Sequence, residues 1–340
     1  MNLDEILKLG IEKNASDVHF SSGEKPIIRI DGDLQRLEDS AVLSAESLLK
    51  MLEKTFPEES VSELKDQGQT DYAYEIANVG RFRVNVFKER NGISASFRTI
   101  PLQVWSLEQL HAPEIYKKLC EYPNGLILVT GPTGSGKSTT LAAMIDYINQ
   151  HEPCHIVTIE DPVEFVYQSK KALVHQREVH HDTISFNAAL RAVLREDPDI
   201  ILVGEMRDPE TIRLALTAAE TGHLVFATLH TNSAAKSIDR IVDVFEAEEK
   251  NLIRSILADS LRAIIAQTLL KKEGGGRIAA SEILICTPAI RTLIREGKIP
   301  QIYSAIQTGK AVGMRTLEQH LQELVAKKMI SKEMADGAAE

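Results

Sequence analysis

The chain has 340 residues, enough for two domains with separate cores, and its 43% hydrophobic and 26% charged content is that of an ordinary globular protein. No apolar run approaches the roughly 20 residues that a membrane-spanning helix needs. The first residues, MNLDEILKLGIEKN, lack a basic region followed by an apolar one, so a cytoplasmic protein with no direct membrane insertion is expected. The net charge of −10 and the absence of a Lys/Arg-rich block speak against a nucleic-acid partner, which normally calls for a basic face.

Residues 2–13 place Leu3, Ile6, Leu7 and Ile11 at helical spacing. Asp17–Phe20 follows, then Ile27–Ile30, Asp31-Gly32 and an alternating Leu34/Leu37 stretch; Asp-Gly between apolar segments signals a hairpin. Residues 44–67 read as two helices separated by Pro57. In Arg81–Val86 the even positions are apolar, so Arg81 and Arg83 share the opposite face. Asn91-Gly92 supplies a turn, and the return strand Ile93–Ile100 buries Ile93, Ala95 and Phe97 and turns Arg98 outward. Residues 1–100 therefore read as a small α+β domain with arginines on one sheet face, a face that on this stretch alone reads as solvated.

Residues 101–113 read as a linker, and the remainder, 114–340, as a second domain. There the pattern alternates strand and helix. Leu126–Thr130, Ile156–Ile159, Ile200–Val203 and Leu224–Thr228 are short, continuously apolar strands, the mark of a largely parallel sheet covered on both faces. Beyond residue 232 the pattern is mostly helical, interrupted by Gly274–Gly276 and a strand-like Arg277–Ile285. Cys120, Cys154 and Cys286 lie far apart with no C-x-x-C pair, so buried free thiols are expected rather than a disulfide framework or a zinc site.

Gly131–Ser138 fits G-x-x-x-x-G-K-[ST] and sits between a buried strand and a helical segment, the context that separates a phosphate loop from a plain Gly-rich turn. Thr133, Gly134, Ser135, Gly136, Lys137, Ser138 and Thr139 are the expected nucleotide contacts. Backbone N–H groups and the helix start would face the phosphates. Lys137 would reach the β/γ-phosphates, and the Ser138 hydroxyl would ligate Mg²⁺, making ATP and Mg²⁺ the expected cofactors. Asp199–Val203 followed by Gly204-Glu205 resembles a Walker B strand with Gly-Glu where Asp-Glu is usual, leaving Glu205 at the strand's ligand-bearing end. It would orient the attacking water or the water shell of Mg²⁺. Glu160, Asp161 and Glu164 form a second acidic cluster, costly to bury without a cation, although a solvated loop also accounts for them. His230, just past the strand Leu224–Thr228, could hydrogen-bond the γ-phosphate. His223 at the strand's start has weaker support, and His180-His181 reads as surface.

Taken together, Gly131–Ser138, Glu160–Glu164, Arg191–Asp208 and Leu224–Asn232 resemble the Walker A, Asp box, Walker B and His box of the secretion-type ATPases. Ala289–Glu296, with Ser304–Gly309 and Gly313–Leu317, resembles the C-terminal signature of the PilT family of type IV pilus retraction ATPases, departing at Thr292, where the family often has Asn. The likeness extends to Ala15–His19 and covers nearly the whole chain. It implies a PAS-like α+β N-terminal domain and a RecA-like P-loop ATPase domain with a mostly helical C-terminal part. It further implies that Arg83 and Arg98 join the nucleotide site, with Glu160, Glu164, Glu205 and His230 in catalytic roles. The expected function is a homohexameric motor that hydrolyses ATP to retract type IV pili, depolymerise pilin and drive twitching motility. Its place would be the inner-membrane face, its partner the inner-membrane pilus platform protein, with a related retraction ATPase beside it. The pilus assembly ATPase carries a large extra domain and a four-cysteine zinc site, which this chain lacks. The sequence is also compatible with an accessory retraction paralogue, a DNA-translocating motor or a nucleotide-gated module.

Overall fold

The chain opens on α1 (Leu3–Glu12), where Asn2 and Glu5 each accept the other's backbone N–H, satisfying two donors that a helix start leaves orphaned. Its inward residues Leu3, Ile6 and Leu7 are buried. The computed structural model describes residues 2–77, 79–100 and 104–339, and the chain divides into two units, Met1–Gln103 and Val104–Glu340.

The first unit is built on an antiparallel six-stranded sheet of order β3-β2-β1-β6-β5-β4. Its strands are β1 (Asp17–Ser21), β2 (Ile27–Ile30), β3 (Asp33–Arg36), β4 (Gln69–Ile76), β5 (Gly80–Glu89) and β6 (Gly92–Ile100), joined by α2 (Ala45–Leu52) and α3 (Glu58–Asp66). Both expected hairpins form, across Asp31-Gly32 and Asn91-Gly92. Phe20, Phe82 and Phe97 are fully buried and meet edge to face, Phe20 and Phe97 at 5.4 Å. On the other sheet face Arg83 stands directly across from Arg98. Arg98 donates through Nε to Oδ1 of the buried Asp17 at 3.0 Å. Of the expected linker, residues 101–103 lie outside the described residues, and Leu107 is buried in the core of the second unit.

That second unit carries a seven-stranded sheet of order β13-β12-β7-β11-β10-β8-β9. In chain order the strands are β7 (Gly125–Thr130), β8 (His155–Glu160), β9 (Leu173–Glu178), β10 (Ile200–Val203), β11 (Leu224–Leu229), β12 (Leu261–Lys271) and β13 (Arg277–Ile285). All neighbours run parallel except β12 and β13, which form a hairpin. The helices are α4 (Ile115–Cys120), α5 (Lys137–His151), α6 (Phe186–Val193), α7 (Pro209–Glu220), α8 (Ala234–Asp243) and α9 (Lys250–Ser260). They continue with α10 (Pro288–Arg295), α11 (Pro300–Thr308), α12 (Leu317–Ala326) and α13 (Lys332–Ala339).

Two departures from the sequence reading matter. Leu261–Lys271 is a strand rather than part of a helical run: β7 lies on one side of it and β13 on the other, so pairing overrides its pattern. β9 opens on Leu173-Val174 but is polar from His175 to Glu178, too short an apolar run to mark a strand in the sequence. A satellite core joins Leu270 and Ile278 of the hairpin to Leu321, Leu324 and Ile330. Cys120 and Cys286 are buried free thiols as expected, but Cys154 is only half-buried. Among the described residues no helix is long and apolar enough to cross a membrane.

Candidate nucleotide site

β7 ends at Thr130 and α5 begins at Lys137, so the chain must turn within Gly131–Gly136. Gly131, Gly134 and Gly136 adopt φ of +146°, +79° and +86°, a region that side-chain-bearing residues enter only with strain. A Cβ at Gly131 would lie 2.3 Å from the backbone oxygen of Gln267. Inside the turn, the buried Lys137 donates from Nζ to the carbonyls of Gly131 at 2.9 Å and Pro132 at 3.0 Å. Burial lowers the pKa of its ammonium, and the negative charges of Glu205 and Glu164 oppose that shift.

The sheet order sets β8, β10 and β11 side by side, so Glu160, Glu205 and His230 stand at adjacent C-terminal strand ends, where open α/β sheets bind ligands. Glu205 accepts from Arg207 at 2.8 Å and lies 3.2 Å from Nε2 of His230. Burial would raise its pKa, but the Arg207 hydrogen bond and the charge of His230 hold the carboxyl below the usual range. Glu160 behaves oppositely. Burial pushes it up to about 7, despite hydrogen bonds to one oxygen from the Thr158 hydroxyl at 2.6 Å and the Gln176 amide at 3.3 Å. The Glu164 backbone N–H donates to its other oxygen at 3.5 Å. Two carboxyls a strand apart thus differ in charge near neutral pH, the arrangement by which one site separates acid from base roles.

Among the remaining expected residues, Thr133 and Gly134 are exposed at the loop tip, and Ser135 is buried with its hydroxyl unpartnered. Ser138 and Thr139 open α5; Ser138 lines one small cleft with Glu160, Gly204 and Thr228. His223 is tied through Nδ1 to the Ala218 carbonyl at 2.9 Å, and His180 and His181 are exposed. Arg83 and Arg98 belong to the first unit. On α10, Ile290 and Ile294 are buried against the core, Arg295 pairs with Asp259 of α9, and the Nε of Arg291 is buried without a hydrogen-bond partner.

Three residues escaped the sequence reading. Arg207 could have been found, since it follows Glu205 by two positions at a strand end. Gln176 on β9 donates to the Phe165 carbonyl and accepts from the Tyr167 N–H, fastening the acidic loop 161–167. Gln267 on β12 donates to the Ser135 carbonyl. The last two act through contacts far away in sequence and leave no local signal.

The model of the family described as type II/IV secretion system protein matches residues 1–334. The chain is 57% identical over 335 residues to the "Type IV pilus retractation ATPase PilT" of Pseudomonas aeruginosa, spanning 98% of this chain and 97% of that one. It is 58% identical over 311 residues to a twitching motility protein of Neisseria gonorrhoeae, spanning 91% and 83%. The crystal structure of the pilus retraction motor PilT with bound ADP matches with a TM-score of 0.89 at 48% identity, over 98% of this chain and 96% of that one.

Proposed function

This chain belongs to the type II/IV secretion system protein family, and we infer from that membership and from its own site that it is an ATPase motor that retracts type IV pili. The observation that carries the chemistry is a glycine-built turn that folds its own carbonyls onto Lys137, in a sheet whose adjacent C-terminal strand ends carry Glu160, Glu205 and His230. Thr133–Thr139 wrap the phosphates, and on nucleotide binding Lys137 exchanges two loop carbonyls for phosphate oxygens. Glu205, kept ionised by Arg207 and His230, orients the attacking water. His230, held by the same carboxylate, senses the γ-phosphate through that pairing.

The donor set fits Mg²⁺, because the Ser138 hydroxyl and Glu160 line one cleft and this cation keeps several waters and phosphate oxygens. Bound there, it supplies neutralisation of charge on the β- and γ-phosphates. Glu160 and Glu164 would hold its water shell. Arg83 and Arg98 add positive charge to the triphosphate. The motor works as a homohexamer on the cytoplasmic face of the inner membrane, docked on the pilus platform protein and assisted by a related retraction ATPase. Nucleic acid takes no part.

A strain lacking the chain should be covered in pili yet fail to twitch; a bald strain would overturn retraction in favour of assembly. Restoring the Glu205→Gln form should leave the defect, with ATP still bound by the purified variant and kcat reduced about 10²-fold or more. Near-normal turnover would move the water-orienting role to Glu160 or Glu164.

A further inference from the structure

We propose that Gln267 is a positioning residue for ATP turnover, its buried amide holding the phosphate loop in nucleotide-binding shape from a strand outside the motif. The proposal rests on reading Gly131–Ser138 as the ATP site. Gln267 lies on β12 and is 3% exposed. Its Nε2 donates to the Ser135 carbonyl at 2.7 Å, and its Oε1 accepts from the Thr140 hydroxyl at 2.9 Å. One side chain therefore joins the loop to the first turn of α5. The glycines at both ends of the loop are fitted to it: a Cβ at Gly136 would come within 3.2 Å of the amide nitrogen, and one at Gly131 would overlap the backbone oxygen.

The chemistry of the peptide unit says what this grip does. A trans peptide is planar, with its C=O and N–H pointing in opposite directions. Fixing the Ser135 carbonyl against Gln267 therefore aims the Gly136 N–H away from Gln267. A phosphate cradle needs its N–H groups convergent and its carbonyls turned out. Left to itself, a glycine-rich loop has many other conformations, and an ordering contact made before the ligand arrives lowers the entropy lost on binding. A side chain suited to this task must present one donor and one acceptor at a fixed separation, as a primary amide does. An ionised glutamate lacks the donor, leucine lacks both groups, and asparagine is a methylene short.

The alternative is that Gln267 merely satisfies two buried polar groups and adds stability. A titration tells the two apart. In Gln267→Glu a protonated carboxyl can donate to Ser135 and accept from Thr140, whereas the ionised form faces the Ser135 carbonyl with a negative charge. Burial raises the pKa of the introduced carboxyl. Lys137 on α5 lowers it, as does Arg315, which bonds Ser281, the residue opposite Gln267 on β13. The full-length protein is therefore assayed from pH 5.5 to 8.5, with KM for ATP, kcat and Tm measured for parent, Gln267→Leu and Gln267→Glu.

The expected result is a KM ratio of Gln267→Glu to parent near one at the acid end and tenfold or more at the alkaline end. Gln267→Leu should show the larger ratio throughout. Parent-like KM and kcat for a folded Gln267→Glu across the range would overturn the proposal. So would a loss of Tm alone, or a defect independent of pH, either of which makes the amide a packing group. Failure of the underlying ATP-site reading is visible separately, in a parent whose nucleotide binding survives Lys137→Ala.

Discussion

Glu160 and Glu205 are the same residue type at neighbouring strand ends, yet their surroundings drive them apart. Glu205 has a guanidinium and an imidazole within hydrogen-bond range, whereas Glu160 has a hydroxyl, an amide and burial. With a folded-state pKa of about 7 against 4.5 when solvated, Glu160 favours its protonated form in the native protein. Between those two values the folded chain holds a proton that the unfolded chain has released, so stability falls as pH rises through the window and the full cost stands above it. That cost is on the order of 3 kcal/mol. Glu160→Gln keeps an acceptor for Thr158 and Gln176, so in the absence of nucleotide and Mg²⁺ it should raise Tm little at pH 5 and by roughly 5–10 °C at pH 8. Differential scanning calorimetry at the two pH values checks this, and a gain independent of pH would mark Glu160 as an ordinary carboxylate.

At the scale of elements, α10 shows how two like residues on one helix acquire different work. Ile290 and Ile294 dock it, while Arg295 reaches Asp259 on α9 and Arg291 lies beside Cys286, lowering that thiol's pKa against the dominant effect of burial. The Arg295 pair is exposed and contributes at most about 1 kcal/mol. Arg291→Ala with Arg295→Ala should therefore leave a folded protein with substantial ATPase activity, in cells that keep their pili and do not move. Normal twitching would remove the helix from force transmission, and loss of all ATPase activity would make it purely structural. Legibility in the sequence followed the same line between local and distant causes. β7, β8, β10 and β11 announce themselves because burial on both faces leaves an unbroken apolar run. β12 does not, because Leu261–Leu270, apolar apart from Arg262, Gln267 and Thr268, is long enough to pass for a helix until its neighbours are known. Lys137, Glu205 and His230 were legible from motif spacing at strand ends, whereas Gln176 and Gln267 reach the site only through sheet pairing.

At the scale of the whole molecule, each unit closes its own hydrophobic core, one around Phe20, Phe82 and Phe97, the other around the parallel sheet. A fragment of residues 104–340 should therefore fold alone and bind ATP through Gly131–Ser138. If Arg83 and Arg98 contribute charge to the transition state, its kcat should be about 10²-fold lower, matched by Arg83→Ala with Arg98→Ala in the intact chain. Equal turnover by the intact protein, the fragment and the double variant would return both arginines to the solvated surface.

The hairpin of β12 and β13 has a mechanical consequence. Gln267 grips the phosphate loop partway along β12, and Leu270, three residues on, is packed among side chains of α12 and α13. An extended backbone rises about 3.3 Å per residue and has almost no stretch left in it, so roughly 10 Å of taut chain separates the two attachments. A displacement at either attachment is delivered to the other without slack. The C-terminal helices ride on the same beam that grips the Gly131–Gly136 turn.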